Sequence, residues 1–209
     1  MSDPQGLMAP STPSEAFSLE SLRGGDRAEF SRLVDVFSGR LYRLALKMLN
    51  HPQDAEDVLQ ETFIKAFRHI KNFDGRSSIS TWLYRIATNE ALMHLRRKNP
   101  EMVSIDEPDA SGEDQEALQI VDFCCLPERE LLNEEARQYL DQAVARLPAN
   151  LRAVFLLRDI EGLSTQEAAD VLGLSETALK TRLSRARLHL RQYLSAYYAD
   201  KMDGNPYAS

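Results

Sequence analysis

Residues 164–187 read STQEAADVLGLSETALKTRLSRAR, and no other stretch of the chain restricts its fold so tightly. Ser164 and Glu167 have the spacing of a capping box, in which each side chain satisfies the other residue's backbone N–H at a helix start. Ala168, Ala169 and Leu172 follow at close-packing spacing. Gly173 stands where the chain must turn sharply, a position that favours positive φ. Ser175 is placed to cap a second helix. That helix carries an apolar seam at Leu179, Leu183, Ala186 and Leu190. Its other faces carry Lys180, Thr181, Arg182, Ser184, Arg185, Arg187 and Arg191, with no acidic residue from 177 to 199.

Small residues permit two short helices to cross closely, and the N-terminal part of the second can then enter a DNA major groove. Lys180, Thr181, Ser184 and Arg185 project together toward base edges. Arg182, Arg187 and Arg191 are set to meet phosphates, which position a protein without specifying sequence. A solvated basic face on an ordinary bundle helix is the competing reading. The coincidence of cap, turn glycine, seam and basic face favours a helix-turn-helix.

The 209-residue chain has a formal charge of −7, so any basic patch must be local. Residues 99–135 hold twelve Asp and Glu against Arg129 alone, a net of −11, which leaves +4 for the rest. An acidic connector thus separates two mildly basic segments. No apolar run approaches the roughly 20 residues that span a bilayer, and residues 1–15 lack the pattern of a signal peptide. Three prolines and small polar residues there read as a disordered tail, extended over 1–24. Cys124 and Cys125 are adjacent, which is no disulfide framework and fits a reducing cytoplasm. A redox or metal role for this pair competes with simple apolar docking beside Phe123 and Leu126. The four histidines share no metal-ligand spacing, so no metal or cofactor is expected.

Upstream of the connector, Phe30, Leu33, Phe37, Leu41, Leu44 and Met48 recur at helical spacing over 27–49. Asp54 opens a second helix with an apolar face at Val58, Leu59, Phe63, Ala66, Phe67 and Ile70. Asn72-Phe73-Asp74-Gly75 is a turn signal. A third helix starts near Ser80 and runs to about Lys98. Residues 99–127 read as a flexible linker. Helices resume near Glu128, break at Pro148 and Gly162, and end near Tyr193. The expectation is an all-α protein of two small helical bundles joined by a flexible acidic linker, with bounds at 25–98, 99–133 and 134–195 and a tail at 196–209.

Residues 54–67, DAEDVLQETFIKAF, leave Asp57, Gln60 and Glu61 on the polar face, which alone describes any amphipathic helix. Residues 80–89, STWLYRIATN, lead into Leu95-Arg96-Arg97-Lys98. A Gly- and Ser-containing loop, a tryptophan, an asparagine and a basic helix end suit a single-strand surface, where rings stack on bases and cations hold the backbone. Trp82 also suits a core anchor, and the two roles are compatible.

Together, DAEDVLQETF, FDGRSSISTWLYRIATN and the helix-turn-helix, in this order, resemble a bacterial RNA polymerase sigma factor of the extracytoplasmic-function class, over roughly 25–98 and 134–194. The resemblance implies a dissociable polymerase subunit whose regions 2 and 4 are the two bundles. It implies docking of Asp57, Gln60 and Glu61 on the β′ clamp helices, and contact between region 4 and the β flap. Phe73, Gly75, Arg76, Ser77 and Ser78 match the loop that captures a flipped base of the −10 element. Trp82 matches the first of two tandem tryptophans of housekeeping relatives, Leu83 stands in place of the second, and weaker melting is expected. Asn89 matches a reader of the upstream −10 edge, with Arg96 and Arg97 on the basic helix end beyond. Lys180, Thr181, Ser184 and Arg185 match readers of the −35 element. The resemblance further implies an anti-sigma factor as partner, no membrane insertion, no enzymatic activity and a cytoplasmic site of action. A negative linker can lie in a channel built for nucleic acid, and overall negative charge restrains DNA binding by the free chain. Two other classes compete: a stand-alone repressor or activator, which needs no tryptophan-bearing basic helix, and an adaptor that binds polymerase without DNA.

Overall fold

The computed structural model describes residues 17–98 and 134–203, with side chains described at 17–98 and 138–195. Among these residues the elements are helical: α1 (Leu19–Gly24), α2 (Arg27–Leu49), α3 (Pro52–His69), a 3-10 turn (Ile70–Asn72), α4 (Ile79–Lys98), α5 (Glu134–Arg146), α6 (Ala149–Phe155), a π turn (Leu156–Ile160), α7 (Thr165–Leu172) and α8 (Glu176–Asp203). The acidic connector and Cys124-Cys125 lie outside the described residues.

The first bundle packs α2, α3 and α4 against one another. The expected stripe of α2 is its buried face, with Leu33, Phe37, Leu41, Leu44 and Met48 nearly or wholly sealed. Asn50 ends α2 at φ 53°, one of the few non-glycine types that tolerate that conformation. The next helix begins at Pro52 rather than Asp54, because proline lacks only an N–H that a first-turn residue leaves unbonded anyway. Phe67, expected on the buried face of α3, is instead half-exposed. It meets Phe30 edge-to-face, ring centroids 5.0 Å apart.

Residues 17–24, assigned above to a disordered tail, are ordered. Phe17 and Leu22 are buried. Ser18 caps α1 through Ser21 N–H, and its own N–H donates to Glu29 Oε1 at 2.8 Å. Arg32 pairs with Glu29 at 2.7 Å and lies over the Phe17 ring. One turn of helix is too short to carry a periodic signal, yet two buried apolar side chains hold it.

In the second bundle, α8 packs against α5, α6 and α7. The capping box is formed: Glu167 N–H donates to Ser164 Oγ at 3.1 Å and Ser164 N–H to Glu167 Oε2 at 2.8 Å. Gly173 takes φ 65°, and Ser175 Oγ accepts from Ala178 N–H. The seam of α8 at Leu179, Leu183, Ala186 and Leu190 is buried as its spacing requires. The helix does not stop near Tyr193 but continues to Asp203, since no glycine or proline intervenes before Gly204.

The two bundles are not independent. Their buried residues form one continuous hydrophobic cluster, with α7 against α4 and α5 against α2. Polar ties cross this seam. Thr81 Oγ1 donates to Glu167 Oε1 at 3.3 Å, and Lys47 pairs with Asp141. Arg152, 6% exposed, donates to the carbonyls of Met48 at 2.6 Å, Leu147 at 2.9 Å and Ala145. Those carbonyls lie at the C-terminal ends of α2 and α5, where a helix leaves acceptors without partners and the dipole favours a cation. Burial opposes the Arg152 charge, and the three carbonyls offset that cost.

Candidate nucleic-acid interface

Helix α8 presents its cations because its seam is buried on the other side. Lys180, Ser184 and Arg185 are exposed, and Thr181 and Arg182 are half-exposed beside them. Thr181 Oγ1 donates back to the Thr177 carbonyl. Arg187 is differently placed: its guanidinium forks onto Asp159, at 3.0 Å through Nε and 2.8 Å through Nη2. Arg187 therefore braces α8 against the π turn, a role that its place on a basic face did not suggest.

The turn between α3 and α4 forms an open cleft of about 550 Å³, lined by Asn72, Phe73, Asp74, Arg76, Ser77, Trp82, Arg85 and Asp170. Phe73 is buried, and its ring packs on Trp82 with centroids 5.0 Å apart. Gly75 takes φ 79°, so a side chain there would be strained. Asp74 accepts from the Arg76 N–H at 3.0 Å and from its guanidinium, and these bonds hold its carboxyl below the usual range. Ser78, matched above to the base-capturing loop, is the N-cap of α4. Its Oγ accepts from Thr81 N–H at 3.0 Å and lies 2.7 Å from the hydroxyls of Ser80 and Thr81. Further along α4, Asn89, Arg96 and Arg97 are exposed. Leu83 is fully buried, whereas Trp82 is only partly so. Neighbouring positions on a helix point in different directions, so Leu83 enters the core while Trp82 lines the cleft.

On α3, Asp57 and Gln60 are exposed and Glu61 is half-exposed. Ile64 continues the same face, 44% exposed. The spacing of 57, 60, 61 and 64 puts all four on one side of the helix. At the start of α3, Asp54 pairs with Lys98 at 2.5 Å. His94 Nε2 lies 3.3 Å from the same carboxylate without hydrogen-bond alignment. The bond from Lys98 holds the Asp54 carboxyl below its usual range. Among the described residues, no group of three His, Cys, Asp or Glu is disposed to hold a metal ion, and no helix is long and apolar enough to cross a membrane.

A model of sigma-70 region 2 matches residues 33–101, and one of sigma-70 region 4 matches residues 137–190. The chain is 35% identical over 180 residues to the ECF RNA polymerase sigma factor SigW of Bacillus subtilis, covering 84% of this chain and 94% of that protein. The chain belongs to the extracytoplasmic-function class of RNA polymerase sigma factors. It is an alternative sigma factor, directing promoter-specific transcription initiation. The RNA polymerase sigma-H factor of Pseudomonas aeruginosa is 36% identical over 172 residues, with 81% of this chain and 88% of that one aligned. The solved structure of CnrH in complex with the cytosolic domain of CnrY superposes with a TM-score of 0.60 at 26% identity, over 85% of this chain and 95% of that one.

In this sigma factor the region 2 match falls on α2–α4 and the region 4 match on α5–α8. Three residues at the sites lay outside the sequence reading. Arg85 was one of several cations in a basic stretch, and only the helical turn shows that it shares the cleft with Trp82. Ile64 was legible as the next member of an i, i+3, i+4, i+7 face. Asp170 had no signal at all, since it reaches the region 2 cleft from α7 of region 4.

Proposed function

We propose that four exposed surfaces of this sigma factor divide the work of initiation. Asp57, Gln60 and Glu61, with Ile64 beside them, dock region 2 on the β′ clamp helices of core polymerase. Ile160 and Leu188, exposed apolar side chains of region 4, face the β flap. Lys180, Thr181, Ser184 and Arg185 read base edges of the −35 duplex, and Arg182 and Arg187 meet its phosphates, Arg187 once released from Asp159. The cleft at Phe73, Gly75, Arg76, Ser77 and Trp82 takes an unpaired base of the −10 element. Asn89 contacts its upstream edge, and Arg96 and Arg97 hold the backbone. Ser78 acts there by setting the start of α4.

The observation that carries this reading is the cleft. A tilted, packed Phe73–Trp82 pair supplies an aromatic wall, and Arg76 and Arg85 supply cations at the same opening. Extruding a base costs on the order of a few kcal/mol, and stacking on a preformed aromatic wall offsets about 1–3 of them. A stand-alone repressor would need only α7 and α8. RNA synthesis belongs to the core enzyme, and this chain contributes recognition rather than catalysis. It acts in the cytoplasm, where polymerase and promoter are. Its exposed apolar side chains also offer a surface to an anti-sigma factor, as CnrH was captured with the cytosolic domain of CnrY.

Run-off transcription with purified core enzyme on a promoter library tests the proposal. Defined start sites that require this protein are expected, with Ile64→Glu lowering core affinity and Trp82→Ala lowering promoter opening at unchanged core affinity. Tight binding to operator duplex with no transcripts would identify a stand-alone regulator instead. Polymerase binding without promoter selectivity would identify an adaptor.

A further inference from the structure

We propose that Arg23 is a positioning residue for the −10 cleft, clamping the recognition loop from the N-terminal helix; this rests on the assignment of the cleft above. Arg23 sits in the last turn of α1. Its Nε donates to the Phe73 carbonyl at 2.8 Å, and its Nη2 donates to the same oxygen. Fifty residues of sequence separate donor and acceptor. One carbonyl thus takes two charge-assisted bonds, which are about twice as strong as neutral ones.

The acceptor's place gives this contact its meaning. Phe73 carries the ring that packs on Trp82, the next residue, Asp74, lines the cleft, and Gly75 turns the chain toward Arg76 and Ser77, which line it as well. Arg23 Nη2 and Leu19 Cδ1 of α1 each lie 3.7 Å from where a Cβ on Gly75 would stand. Helix α1 therefore supports the loop from behind while leaving its cleft side open. The support is itself anchored. Leu22 is 1% exposed, Gly25 closes α1 at φ 83°, and the Ser18–Glu29–Arg32 chain ties α1 to α2. Within the loop Asp74 bonds Arg76 and Ser78 bonds Ser80 and Thr81, while its two ends are tied by the Phe73 N–H to the Ile70 carbonyl and by Thr81 Oγ1 to Glu167. Arg23 thereby links the loop's backbone to the body of region 2. A pocket that discriminates among bases must hold its walls within fractions of an ångström.

The test uses the full chain, bound to core polymerase, on four promoters that differ only at the base captured by the cleft. With Arg23→Gln, core affinity stays at the wild-type value while discrimination among the four bases falls by roughly tenfold, the scale of one lost charge-assisted hydrogen bond. Arg23→Lys, which keeps the charge and one donor line, recovers part of it. The fluorescence of Trp82, the chain's only tryptophan, shifts in free Arg23→Gln while the helical signal of the folded chain is unchanged. An equal drop on all four promoters with the base ranking intact would overturn the proposal and leave Arg23 a merely structural residue. Unaltered ranking with unaltered Trp82 emission overturns it as well. If the wild-type factor does not distinguish the four bases, the cleft assignment itself falls, and the role of Arg23 with it.

Discussion

Tyr84 Oη donates a hydrogen bond to Glu161 Oε2 at 2.5 Å, joining the buried middle of α4 to the end of the π turn in region 4. Burial, and then the Glu161 carboxylate, push the Tyr84 hydroxyl well above its ordinary value. The neutral phenol is therefore the form that the packed state favours. Its contribution is complete below the unfolded value of about 10 and declines as pH rises beyond it. Tyr84→Phe should cost about 1.5–3 kcal/mol near neutrality, the range for a hydrogen bond to a charged group. The gap between variant and wild type should narrow toward strongly alkaline pH in denaturant titrations.

Loss of Arg152 should be more damaging than its single charge suggests. Arg152→Met keeps the bulk but removes donors to three carbonyls, at about 1 kcal/mol each. Unfolding midpoints should show a loss of about 3 kcal/mol, with Arg152→Lys recovering only part because one ammonium cannot span all three acceptors.

Glu167 makes the start of α7 sensitive to acid. The Ser164 N–H, then the Ser164 hydroxyl and Thr81, hold its carboxyl below the usual range. A lowered value means the stabilisation is present above the unfolded pKa of about 4.3 and is lost as pH falls through that range. Ser164→Ala should cost about 1 kcal/mol. Glu167→Gln should flatten the decline in stability that wild type undergoes as pH falls below about 4.3.

Much of this arrangement was legible because helices advertise themselves by period. The seam of α8, its caps and its glycine turn needed only local chemistry. The seam between bundles did not have such a signal. It is made by Thr81, Tyr84, Arg152 and Glu161, polar residues that a sequence reading leaves at the surface, and their partners lie 77 to 104 positions away. The same holds for Arg23 and Phe73. Ser78 and Arg187 were legible as polar and basic, but not as an N-cap and an internal brace. Those roles depend on which acceptor or donor the fold brings within 3 Å.

On α8, exposed and braced cations should behave differently. Arg185→Ala should cost about 1–3 kcal/mol and relax preference at a single −35 position. Arg191→Ala should weaken all sequences alike and reduce the salt slope by about one. Asp159→Asn should release Arg187 and raise non-specific affinity. Binding isotherms across salt concentrations and −35 variants separate these three outcomes.

The closed packing also sets a length problem. Elements centred about 25 base pairs apart lie roughly 85 Å apart along B-DNA, whereas a compact body of the 152 described residues has a radius of gyration near 15 Å by the usual scaling, about 40 Å across. Energy transfer between labels on α3 and α8 should be high in the free chain and fall on addition of core enzyme. Unchanged transfer would mean that the packed form is also the working one.

Arg152 caps two helices that belong to different bodies. Two of its acceptors travel with it in region 4, and one stays behind on α2. When the bodies part, the guanidinium keeps a pair of bonds and the Met48 carbonyl is handed to water at a helix terminus that solvent can reach. No charge is stranded in either half. At this point the joint behaves as a snap fastener rather than a weld, able to open and close without damage to either side.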